Sequence, residues 1–332
     1  MLTRRGRGRC RNAPTRASVQ NVAMAAFDAR PYLKEIARGR SARALTREQA
    51  RTLFAAVFAD EIDPVALGAV LAAMRVKGET APEIAGMMEA LAPHVRPLGL
   101  PADGALPVLI PSYNGARKLA TLVPLLALLL ARQGVPVVVH GVFHEAGRVS
   151  TFDVLERLGH APAATLEDAA RALAEGRPAA IPLTLLSPAL ARLLDARSRM
   201  GVRNSGHTLA KLLLPAGVAP DAACRLVSVT HPDYVRLMRE CFALMPGDAL
   251  VMRGVEGEAT VRLHAPQPIE EMRGAEAPIE HRIGAADVDY ALPDRDPQVT
   301  ADWTREVLEG HRIPPAALLA QVALIAHHCR RG

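Results

Sequence analysis

Aromatic residues make up only 3% of this 332-residue chain: one Trp, four Tyr and six Phe. A platform that stacks the bases of single-stranded nucleic acid needs several exposed rings, so that mode of recognition is argued against. Cysteine is as sparse. Cys10, Cys224, Cys241 and Cys329 form no C-x-x-C pair and keep no regular spacing, which speaks against a disulfide framework or a zinc site and for reduced thiols in a cytoplasmic protein. A long apolar run is missing too. The longest, Leu119 to Ala131, is interrupted by Pro124 and stopped by Arg132, short of the roughly 20 apolar residues that cross a bilayer, so it reads as a buried helix. The N-terminus is rich in Arg but has no apolar core, so no secretory signal is read there. Lysine is confined to Lys34, Lys77, Lys118 and Lys211, leaving arginine to carry most of the positive charge.

What remains is an ordinary globular composition, 50% hydrophobic, in a chain long enough for one large or two modest domains. The formal net charge is +6 and the isoelectric point near 9.5, values that suggest a polyanionic partner. Residues 1–23 hold Arg4, Arg5, Arg7, Arg9, Arg11 and Arg16 and no acid, so these six arginines account for the whole excess. That segment reads either as a disordered nucleic-acid arm or as translation begun upstream of a natural start at Met24. Two further stretches carry basic residues and no acid: 111–144, with Arg117, Lys118 and Arg132, and 196–220, with Arg197, Arg199, Arg203 and Lys211.

From Pro31 to about Pro93 the apolar residues recur at helical spacing, with Thr46, Pro64 and Thr80 marking starts. From Val108 the pattern changes to short β-branched runs: V-L-I at 108–110, P-V-V-V-H at 136–140, R-L-V-S-V at 225–229, A-L-V-M at 249–252 and A-T-V-R-L at 259–263. Helices between them predict an α/β fold with a mainly parallel sheet. The organisation expected is a basic tail over 1–28, a helical bundle domain over 29–100 joined by helices from about 166–200, and an α/β domain over 101–332. Residues 264–300 are expected to be irregular, followed by helices near Trp303 and from Ala316 to His328.

The stretch V-L-I-P-S-Y-N-G-A-R-K-L from 108 reads as a strand, a turn at Asn114-Gly115 and a helix beginning at Ala116. Such a turn aims backbone N–H groups and a helix N-terminus at a phosphate. His140 and His207 have structural readings as buried or capping residues; His207 and Lys211 are four apart and would share a helix face. Neither His327-His328 nor the His140/His144 pair has a third ligand at zinc-like spacing, so no metal is assigned.

Several motifs, L-T-R-E-Q-A at 45–50, A-A-M-R-V-K-G-E-T-A-P-E-I-A-G at 72–86, H-G at 140–141, F-D-V-L-E-R-L-G at 152–159 and G-V-R-N-S-G-H-T-L-A-K-L-L-L-P at 201–215, closely resemble the anthranilate phosphoribosyltransferases. The resemblance runs from about 31 to 330. It implies a helical bundle domain plus a nucleoside phosphorylase/phosphoribosyltransferase-like α/β domain, and a homodimer through the helical domain. It also implies a loop for phosphoribosyl pyrophosphate and a magnesium site, and here the chain departs. The family's G-T-G-G-D loop is matched by P-S-Y-N-G at 111–115, and its magnesium-binding Asp-Glu pair by Ala259 and Thr260. Its N-x-S-T segment keeps only Thr121, and its K-H-G-N becomes Val139, His140, Gly141 and Val142. Without these carboxylates a pyrophosphate leaving group is not neutralised, and no turnover is expected.

This loss of catalytic groups with retention of basic ones resembles the YbiB-like branch of the family, implied to bind DNA and RNA without sequence preference. The residues expected at phosphate are Asn114, Gly115, Arg117, Lys118, His140, Arg197, Arg199, Arg203, His207 and Lys211, with no cofactor. The alternative is phosphoribosyl transfer to a small aromatic acceptor, with Mg2+ and phosphoribosyl pyrophosphate held by relocated acids such as Glu256 or Glu258. A third possibility is a dimeric interaction protein with a vestigial site.

Overall fold

The computed structural model describes residues 27–143, 147–284 and 289–330; the basic segment 1–23, with Cys10, and Met24 and His144 lie outside them. Four helices open the described chain: α1 (Arg30–Ile36), α2 (Arg47–Phe58), α3 (Pro64–Lys77) and α4 (Ala81–Leu91). Their starts follow the local chemistry. Thr46 and Gln49 cap α2 reciprocally, Asp63 accepts from Val65 N and Ala66 N ahead of Pro64, and the Glu83 carboxylate accepts from Thr80 N and Oγ1. Glu83 is buried, and it also takes Leu45 N at 2.8 Å and Lys77 Nζ at 2.7 Å. The K-G-E-T stretch is therefore a structural knot between α3 and α4. Gly86 lets α4 lie against α2, since a Cβ there would stand 2.1 Å from the Arg47 carbonyl oxygen.

The rest forms a seven-stranded mixed sheet covered by helices. In chain order it runs β1 (Val108–Ser112), α5 (Val123–Arg132), β2 (Val137–Gly141), α6 (Thr151–Arg157), α7 (Leu166–Ala174), β3 (Ala179–Pro182), α8 (Leu183–Leu186), α9 (Pro188–Met200) and α10 (Gly206–Leu212). It continues through β4 (Cys224–Val229), α11 (Pro232–Leu244), β5 (Ala249–Arg253), β6 (Gln267–Met272), β7 (Ile279–Ile283), α12 (Pro297–Leu308) and α13 (Ala316–Cys329). The strand order is β3-β2-β1-β4-β5-β6-β7; the first five are parallel and the last two antiparallel. Strand side chains alternate between two cores. Leu109, Val138, Ile181 and Val227 join the core that also contains α2, α4 and α9, while Val108, Ile110, Val137 and Leu226 join the one beneath α5, α12 and α13.

The chain turns left from β1 to β2 and right from β1 to β4, so the carboxyl ends of β1 and β4 flank the switch point where open α/β sheets bind ligands.

Four local expectations change. The helix after the turn starts at Val123, not Ala116, because Pro124 in its first turn sets the start. Residues 259–263 are no strand: Glu256 and Gly257 take left-handed φ of 53° and 89°, and the Gln321 side chain, not a ladder, satisfies Ala259 O and Val261 N. The stretch expected to be irregular contributes β6 and β7. The helices expected from about 166–200 are interrupted by β3, whose four residues are all buried beside β2.

Candidate functional site

The turn after β1 is an anion site, and the chain's own carboxylates fill it. Glu258, 3% exposed, accepts from Asn114 N at 2.8 Å, Gly115 N at 2.9 Å and Ser112 Oγ at 2.6 Å. Glu256 accepts from Arg117 N at 2.6 Å and Lys118 N at 3.0 Å. Between them Gly257 is locked, its carbonyl taking Asn114 Nδ2 at 2.7 Å and Ser228 Oγ at 2.8 Å. Carboxylates satisfying successive backbone N–H groups do what phosphate oxygens would do. The turn keeps its geometry through Gly115, whose φ is 64° and where a Cβ would stand 2.7 Å from Val149 O, leaving no room for a side chain.

This arrangement corrects the expected roles of Asn114 and Gly115: their N–H groups face Glu258, not an incoming phosphate. The sequence signal that could have found it is Glu256-Gly257-Glu258 after a strand, opposite a turn that has lost its own acid. It also bears on how magnesium would be held. Magnesium takes carboxylate oxygens; Glu256 and Glu258 are turned to the backbone N–H groups of 114–118 and to Ser112 Oγ, and the positions matching the family pair, Ala259 and Thr260, are buried and carry no carboxylate. These residues do not fit a magnesium ion bridging a pyrophosphate. Among the described residues no cluster of His, Cys, Asp and Glu is placed to hold a metal.

His140 is also displaced from the expected role. It is 1% exposed beneath Tyr113, whose Oη lies 2.5 Å from its Nδ1, and burial pushes its pKa down to about 3. It is a neutral core histidine. His207 is half-buried with Nδ1 3.2 Å from Asn204 O; burial first, then the charges of Arg203, Arg197 and Lys211, hold it near 3 as well. Neither supplies a cation to phosphate at neutral pH.

Arg203, His207 and Lys211 do come together, with Asn114, in a chamber of about 130 Å³ between the domains. Arg75 from α3, Glu79 from the connection that follows it and Tyr234 of α11 complete it, three residues that sequence reasoning missed because they lie far apart in the chain. Lys211 points inward, its Nζ donating to the Ser228 carbonyl, so it is not the surface contact expected. Arg197 lines a neighbouring, more apolar cavity of about 850 Å³ that shares Tyr113 and His207 with the chamber. Arg117, Lys118 and Arg199 line neither cavity; their side chains stand exposed.

The helical bundle domain of the glycosyl transferase family matches residues 30–94, and that family's a/b domain matches residues 120–321. The Escherichia coli (strain K12) protein YbiB is 41% identical over 299 residues, covering 90% of this chain and 93% of that protein. The anthranilate phosphoribosyltransferase of Thermus thermophilus is 29% identical over 274 residues, 82% of each. A crystal structure of the Thermus thermophilus enzyme superposes with a TM-score of 0.69 at 26% identity, over 90% of this chain and 87% of the other. The Saccharomyces cerevisiae enzyme in complex with PRPP and Mg, 14% identical with a TM-score of 0.70 over 90% and 88%, shares the fold.

Proposed function

The chain belongs to the glycosyl transferase family, carrying both its helical bundle and its a/b domain, and from that premise we propose that it has given up phosphoribosyl transfer and binds the phosphate backbone of DNA or RNA. The observation that carries this reading is the filled turn: the backbone donors that would cradle a pyrophosphate are held by Glu256 and Glu258. A phosphate approaching this end of the sheet meets exposed side chains instead, Arg117 and Lys118 beside the turn and Arg199 at the end of α9, with Arg197 and Arg203 at the cavities. Interactions of this kind go to the backbone and carry no base code, so binding is without sequence preference.

In this reading the protein is a cytoplasmic homodimer joined through the helical domain. Supporting that, α3 presents Val65 and Val76, 81% and 86% exposed, with exposed Ala69 and Ala72 along the same face at helical spacing. Among the described residues no helix is long and apolar enough to cross a membrane.

The test is fluorescence anisotropy of a labelled duplex and a single strand across a salt series, using protein that starts at Met24. Wild type is expected to lose affinity linearly on a log-log salt plot. The triple variant Arg117→Ala, Lys118→Ala, Arg199→Ala should weaken binding to all sequences alike and flatten the slope by about one unit for each phosphate no longer neutralised. An unchanged slope removes these residues from the interface, and binding seen only with residues 1–23 present moves it to the Arg-rich segment.

A further inference from the structure

The interdomain chamber holds a lysine that, among the described residues, no carboxylate contacts directly, Glu258 acting on it only through its charge. Lys211 is carried by α10 with its Nζ on the carbonyl of Ser228 at the end of β4. The groups around it come from every wall: Arg203 and His207 from its own segment, Arg75 from α3 and Glu79 from the connection that follows it, Tyr234 from α11, Tyr113 from the β1 turn and Glu258 from the loop after β5. Glu258 is engaged by the turn, and Glu79 accepts from Ser205 Oγ at 2.8 Å. Burial, followed by the positive charge of Arg203, pulls Lys211 down to about 8 against the opposing pull of Glu258. A lysine withdrawn from water beside another cation is the setting in which an amine becomes a nucleophile near neutral pH.

We propose that Lys211 condenses with a small anionic aldehyde admitted to this chamber. The neutral Nζ adds its lone pair to the carbonyl carbon, a proton passes from nitrogen to the carbonyl oxygen, and the resulting carbinolamine expels one water to leave a C=N bond. No oxidant or reductant enters. Arg75 and Arg203 in the chamber walls favour an aldehyde that carries a carboxylate or phosphate. The volume sets the size: about 130 Å³ is close to the ~150 Å³ of a cavity that takes benzene, so the guest has about six heavy atoms. This chemistry shares Arg203 with the proposed nucleic-acid surface, but Lys211 itself is withdrawn from the exposed Arg117, Lys118 and Arg199 on which that binding is tested.

The chain has only four lysines, which makes the experiment clean. Glyoxylate is added to the full chain with cyanoborohydride, which reduces any imine to a stable carboxymethyl-amine, and the modified residue is mapped by mass spectrometry over a pH series. Lys211 should be modified about tenfold or more faster than the exposed Lys34 and Lys118 at neutral pH, with a rate that rises through a midpoint near 8. Inorganic phosphate should slow it, and Lys211→Arg should abolish it. Should that variant fail to fold, the map of the wild-type protein decides alone. Modification of Lys34 and Lys118 with Lys211 untouched, or equal rates at all three, overturns the proposal.

Discussion

Removing the Glu258 carboxylate strands two buried backbone donors at once, Asn114 N and Gly115 N, while Ser112 Oγ keeps Thr151 Oγ1 at 2.8 Å as an acceptor. Each unsatisfied group costs about 1–3 kcal/mol, so Glu258→Ala should lower stability in urea unfolding by at least about 2 kcal/mol, with Glu258→Gln losing less. A variant as stable as wild type would show that the carboxylate does not hold the turn. A second residue acts at the other end of the sheet. Glu271, 3% exposed, accepts from His281 Nε2 at 2.5 Å and His328 Nδ1 at 2.7 Å. Burial alone would raise its pKa, but these hydrogen bonds and the charges of His328 and Arg273 outweigh it and hold the carboxyl at about 2. A group depressed in the folded state stabilises above its unfolded value near 4.5 and loses that contribution as pH falls toward about 2. Glu271→Gln should flatten the pH dependence of the urea midpoint between about pH 5 and about pH 2; parallel curves would remove Glu271 from the acid response.

Among elements, the α2–α4 pair depends on one missing side chain. Gly86→Ala places a methyl 2.1 Å from Arg47 O and 2.9 Å from Arg51 N, and because backbone cannot step aside, a loss of about 3 kcal/mol or more in thermal or urea unfolding is expected. Wild-type stability in this variant would mean that the two helices separate at little cost. How much was legible follows the same scale. Helices α2 to α4 announced themselves through Thr46, Pro64 and Thr80, and β1, β2, β4 and β5 through their β-branched runs, because capping and burial are local. The edge of the sheet was not legible: β7 reads I-E-H-R-I, a strand with charged residues on its open side, and β6 holds Glu270 and Glu271 that Arg239 and His328 satisfy from other elements. At the site, the turn could be read from Asn114-Gly115. What fills it was only hinted at by Glu256-Gly257-Glu258, since Glu258 arrives from 143 positions away and its pairing with the turn is a tertiary fact.

For the whole molecule, charge and association separate. The excess of positive charge resides in residues 1–23, so the polyanion binding proposed for the described body would rest on local groups, not on a general field. If α3 is the seam between two copies, Val76→Asp should shift sedimentation from dimer to monomer while leaving each subunit as stable as before, because the 86% exposed Val76 adds little to its own core. An unchanged sedimentation coefficient would place the seam elsewhere. The filled turn has a consequence for the molecule in a cell. A tethered carboxylate competes as if it were free at an effective concentration of at least the mM order, and here its tether is already folded around it. Under the proposed reading, a nucleotide or sugar phosphate would have to outcompete a carboxylate that never leaves the turn, which would set a threshold concentration for any small phosphate at this site.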